Sequence, residues 1–152
     1  MASVISQSKG ASRRRSALVA LSLILATGAG FAGESPVSIG EVSATTPSGE
    51  FEAPLRSALR EALDSAKLGR PRERFVLSAS LVALEAKKDG ERVSATAVVS
   101  LVLRREKEQT LHAMLRGSAT ALESDSTLDA ARETAVRAAA GSAMRGLPEA
   151  VK

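Results

Sequence analysis

Cysteine, tryptophan and tyrosine are all missing from the 152 residues; histidine occurs once and phenylalanine three times. Without a thiol the chain can form no disulfide, no Cys–His pair and no zinc site of the ordinary kind. Nor can it carry the lipidated cysteine that anchors many bacterial envelope proteins. No Gly-rich phosphate loop precedes a helix, and no serine sits on a strand-to-helix elbow. The expectation is a chain that is not an enzyme, with no catalytic, metal-binding or cofactor-binding residue and no cofactor.

What is present begins with ASRRRSALVALSLILATGAGFAGE. Arg13, Arg14 and Arg15 precede an apolar run over residues 17–26, and the small residues Gly30 and Ala32 follow, which is the order of a secretory signal cut after Ala32. The alternative is an uncleaved anchor over residues 16–32, but glycines at 28, 30 and 33 interrupt a spanning helix where it still needs length. Membrane contact is expected only through this segment if it is retained. Cleavage would remove Lys9 and the three arginines from 21 basic residues and none of the 17 acidic ones, so the two counts would balance. The sequence pI near 10 then belongs to the leader, and the basic surface of a nucleic-acid binder is not expected. The export reading predicts a periplasmic or secreted protein. About 120 residues remain, enough for one core and too few for two ordinary domains.

Residues 33–50 are rich in Gly, Ser, Thr and Pro and read as a leader, in which Val37, Ile39 and Val42 can supply a short edge strand. One α+β domain is expected over residues 51–148, with a tail at 149–152. In APLRSALREALDSAK the apolar residues Leu55, Ala58, Leu59, Ala62, Leu63 and Ala66 form a helical stripe, predicting a helix over residues 54–67 with Pro54 in its first turn. Gly69 and Pro71 follow as stops.

From Phe75 the period becomes two. Phe75, Leu77, Ala79, Leu81 and Ala83 alternate with polar residues, then Val93 to Leu103 and Leu111 to Ala121 do the same on odd numbers. This predicts three antiparallel strands in a meander with their odd faces buried. A three-residue loop at Lys88-Asp89-Gly90 would keep odd opposite odd, pairing Ala83 with Ala95, Leu81 with Ala97, Ala79 with Val99 and Leu77 with Leu101. Ala95, Ala97, Gly117 and Ala119 leave little side-chain volume, so a helix can lie close. STLDAARETAVRAAAGSAMRGLP supplies it, with Ser126 as the expected cap, Asp129 completing a capping box, and a small-residue stripe of Leu128, Ala131, Ala135, Ala138, Ala139 and Ser142. Gly146 and Pro148 would end it. The fold class is thus α+β: a mainly antiparallel three- to four-stranded meander sheet with two helices on one face, in the order β-α-β-β-β-α. A first strand joined through the helix would lie parallel to the second.

The even face of the meander carries the candidate site. Val76, Ser80, Val82, Val98, Ser100, Val102, His112, Met114 and Arg116 make an aliphatic and hydroxyl-bearing surface with almost no charge, suited to a protein partner or to self-association. The ordinary reading is an exposed sheet face rich in β-formers. His112, expected beside Val102, has no placed partner to orient it for catalysis. Arg70, Arg72 and Arg74 in LGRPRER could grip a phosphate or an anionic headgroup, or simply sit favourably near a helix C-terminus. A second function class is carriage of a small hydrophobic or lipid ligand between helices and sheet, against which the alanine-rich packing counts.

The order of elements from SIGEVSA through PLRSALREAL and the hairpins to the last helix resembles the small periplasmic domains of the lipopolysaccharide-assembly lipoprotein LptE and of the TolB N-terminus. The resemblance implies an α+β, non-enzymatic accessory domain of the bacterial envelope. It carries over no binding residue, and the lipoproteins' cysteine has no counterpart here.

Overall fold

The odd-numbered alternation becomes one side of a four-stranded mixed sheet. The structure, a computed structural model, describes residues 35–45, 49–124 and 127–152; the leader with its cut after Ala32, and Ser126, lie outside these. Strand β1 spans Val37–Ala44, helix α1 Glu52–Ser65, and strands β2, β3 and β4 span Phe75–Asp89, Arg92–Arg105 and Leu111–Ser124. Helices α2, Leu128–Met144, and α3, Leu147–Ala150, complete the order. The strands lie in sequence order, β1 parallel to β2 and the other neighbours antiparallel. Val37 and Val42, expected in a short edge strand, are buried.

Helix α1 buries Leu55, Ala58 and Leu59. It stops at Ser65 rather than at residue 67, because the Ser65 hydroxyl donates to the carbonyls of Glu61 (2.8 Å) and Ala62 (3.1 Å). Ala66 then leaves in an extended conformation, its N–H on the Leu63 carbonyl.

The β2–β3 connection corrects the expected loop. Asp89 pairs with Arg92, so the turn has two residues, Gly90 and Glu91, with Gly90 at φ 61°, a conformation glycine adopts without steric cost. A two-residue turn would oppose core with solvent all along the hairpin, but a bulge between Leu81 and Ala83 inserts one residue and restores parity. Beyond it odd faces odd: Leu81 with Val99, Ala79 with Leu101, Leu77 with Leu103. Between bulge and turn the parity of β2 reverses, so Leu84 and Ala86, not Ala83, lie opposite Ala97 and Ala95. Leu84 and Ala86 pack against the core.

Strand β4 keeps odd opposite odd, with Leu101 facing Leu115, Val99 facing Gly117 and Ala97 facing Ala119. The close approach of helix to sheet centres on Gly117. A Cβ there would lie 2.3 Å from both the Ala139 carbonyl oxygen and the Ala143 nitrogen. This contact sets the roll of α2, which buries Ala131, Ala135, Val136, Ala139, Ala140, Ala143 and Met144. Ala138, expected on the stripe, is exposed, and Ser142 is half-buried. The N-cap is Thr127, whose hydroxyl oxygen accepts from the Ala130 N–H at 3.2 Å. Past Met144, Leu147 of α3 and Val151 close the end of the core; Val151 is buried although it lies in the expected tail.

Candidate functional site

Helices α1 and α2 pack on the side of the sheet that carries Leu77, Val99 and Leu101, so the other side is open among the described residues. The pairing defines its rows. Ser78, Val102 and Met114 form one; Ser80, Ser100 and Arg116 form the next. Val98 faces Ser118 in β4 and Ala83 in β2, with Val82 in the bulge beside it. Met114, not the expected His112, is thus the β4 residue beside Val102. The β3–β4 register produces the shift.

Hydroxyls run between the aliphatics. Ser43 and Ser80 meet at 3.1 Å and Thr96 and Thr120 at 2.9 Å, cross-strand bonds that tie neighbouring strands on the open side. The large hydrophobic side chains that stay exposed are Val82 (46%), Leu111 (60%), Met114 (65%) and Leu122 (77%). All four belong to this side. Val82, Ser100, Met114 and Arg116, with Leu115, line a shallow hollow of about 190 Å³. Val76, Val98, Ser100 and Val102 are half-buried, and Ser80 and Arg116 exposed.

His112 does not lie on this face, which corrects its expected place beside Val102. A second bulge, between Leu103 and Arg104, pairs Arg104 with Leu111 and Leu103 with Ala113. Leu111 thereby joins the open face, and His112 turns to the helix side. Its ring centroid is 4.9 Å from that of Phe75, and its Nε2 lies 2.8 Å from the Ala150 carbonyl oxygen. As that oxygen can only accept, Nε2 carries the proton and donates. The missed members of the open face are Leu111 and Leu122; Leu122 was legible as an even-numbered position, whereas Leu111 depends on the bulge.

The arginine segment lies elsewhere, at the end of the sheet where β2 begins and β3 ends. Two hollows there, of about 320 and 440 Å³, share Arg72, Glu73 and Arg105. Arg74, Lys107 and Glu108 complete the smaller; Arg70, Pro71, Phe75, His112, Val151 and Lys152 complete the larger. Arg105 Nε lies 2.9 Å from Glu73 Oε2, and its Nη1 lies 3.5 Å from Glu108. The Nε atom is buried and its N–H is not directed at the Glu73 oxygen, so that contact is an ion pair without a hydrogen bond.

No protein-family model and no curated protein matches this sequence. Solved structures do. A protein from Xanthomonas campestris of the family DUF330 is 18% identical over 73% of this chain and 80% of its own, with a TM-score of 0.50. A lipoprotein candidate from Caulobacter crescentus is also 18% identical, over 76% of this chain and 86% of its own, with a TM-score of 0.48. At such identity the likeness to the Xanthomonas protein is one of fold, and the α+β fold is the property shared. No helix among the described residues is long and apolar enough to cross a membrane.

Proposed function

We infer that this chain is an exported, non-enzymatic binding or scaffolding module of the bacterial cell envelope, and that it works through a protein–protein interface on the open side of its sheet. The observation that carries the reading is the placement of Val82, Leu111, Met114 and Leu122, the exposed large hydrophobics, together on that one side. Leaving them in water gives the fold little, whereas covering them with a partner removes apolar area from water. Export rests on the arginine-led apolar leader, and the accessory role on the resemblance of the element order to the LptE and TolB domains, which is read from the sequence and is distinct from the likeness to the Xanthomonas and Caulobacter structures. Carriage of a small apolar ligand between sheet and helices is disfavoured, since at Gly117 the sheet touches the backbone of α2.

The test is the pair V82K/M114K, which places two charges at the shared hollow. Native mass spectrometry of the protein isolated from its host should show a second protein or a second copy with the wild type and neither with the variant, the far-UV circular dichroism being unchanged. A co-purifying lipid-sized mass with no protein would instead favour carriage. Association that survives both lysines removes the open face from the reading.

A further inference from the structure

The hollows beside Arg105 concern a different surface from the open face, and the inference drawn from them stands or falls independently of it. Glu73 and Glu108 are the carboxylates that line them, and both lie against Arg105. That leaves Arg70 and Arg72 on the larger hollow, and Lys107 on the smaller, without a carboxylate side-chain partner among the described residues. All three are exposed, so their charges face solvent and any ligand that enters.

The backbone also holds the two arginines in a particular relation. Pro71 between them has a fixed φ, and the residue before a proline is confined to extended geometry. Arg70 and Arg72 both line the larger hollow. Two planar guanidiniums on a stiffened segment lose less freedom on closing around a ligand than they would on a mobile loop. His112, which also lines this hollow, is moored to the Ala150 carbonyl and lies tilted against the Phe75 ring.

We propose that the larger hollow binds a phosphate group, with Arg70 and Arg72, which both line it, as the clamp on its oxygens. The matching of guanidinium forks to tetrahedral oxyanions is the recognition chemistry. The group can belong to free phosphate or to the headgroup of a phosphomonoester lipid.

The experiment uses the full chain, titrated calorimetrically with inorganic phosphate and, separately, sedimented with phosphatidylcholine vesicles with and without phosphatidic acid. Binding to free phosphate identifies the free anion as sufficient; binding only to the vesicles containing phosphatidic acid identifies the headgroup as the source. Either supports the site, provided that R70Q/R72Q weakens it by about tenfold or more, as loss of two charge-assisted contacts should. The control, K87Q/K88Q, removes the same charge at the far end of β2, about 40 Å away at 3.3 Å per residue, and should leave binding unchanged. Equal weakening by both variants would reduce the effect to net charge and overturn the proposal, as would no binding to either probe. Arg70 and Arg72 are exposed, so circular dichroism of the variant should match the wild type.

Discussion

Leu115 and Met114 are consecutive in β4 and point to opposite sides of the same sheet. Leu115 faces Leu101 beneath the helices, while Met114, opposite Val102, is 65% exposed. The helix side holds Leu77, Leu101 and Leu103 at 0% exposure, and burying a leucine fully is worth about 1.5–3 kcal/mol. Packing therefore accounts for the apolar residues on that side. On the other side it explains the β-branched and hydroxyl residues, which suit a pleated surface, but not the large flexible apolar chains at 114 and 122. The difference separates what the fold requires from what remains for an interaction to use.

Substitutions should divide sharply by side, and the largest loss should come from Gly117→Ala. Its methyl would meet the backbone of Ala139 and Ala143, which cannot swing aside like the end of a side chain. The expected loss is about 4 kcal/mol, beyond ordinary overpacking because α2 itself must lift from the sheet. Urea unfolding followed by circular dichroism measures it through the midpoint. A loss under about 1 kcal/mol would show that α2 does not rest on this position.

Leu101→Ala comes next. The side chain is fully buried in the middle of β3, and its truncation leaves a cavity between sheet and helices. About 3 kcal/mol should be lost, the sum of transfer and cavity costs. The same unfolding experiment reads it, with the slope unchanged.

How much of this contrast was legible beforehand depends on the residue. The strands β3 and β4 alternate without interruption from Val93 and from Ala113 onward, so their buried side, the opposition of odd residues and the role of Gly117 follow from the sequence. Strand β2 hides its parity switch in Leu81-Val82-Ala83-Leu84, four apolar residues in a row that fit either side. There the bulge is decided by the two-residue turn at Gly90-Glu91 and by the need to bury Leu84, neither of which is local to the run. His112 was misplaced for a related reason, since the bulge at Leu103/Arg104 adds a residue that alternation cannot show. The cluster of Arg70, Arg72 and Arg74 stood out as a run; its meeting with Arg105 and His112 is a product of topology alone.

The smallest effect sharpens the comparison most. Leu122→Ser removes the most exposed of the large apolar side chains, 77% open and opposite Ser94 near the end of β4. Little area leaves water when the chain folds at this position, so stability should change by less than about 0.5 kcal/mol, as at other surface sites. A loss comparable to that of Leu101→Ala would mean that the isolated fold already uses this side chain, and the open face would then need a cover supplied by the chain itself. A neutral result for stability, combined with weaker association in the mass-spectrometric assay, would locate the use of Leu122 in a partner and not in the core. The two readouts move independently, because one follows area buried on folding and the other area buried on docking.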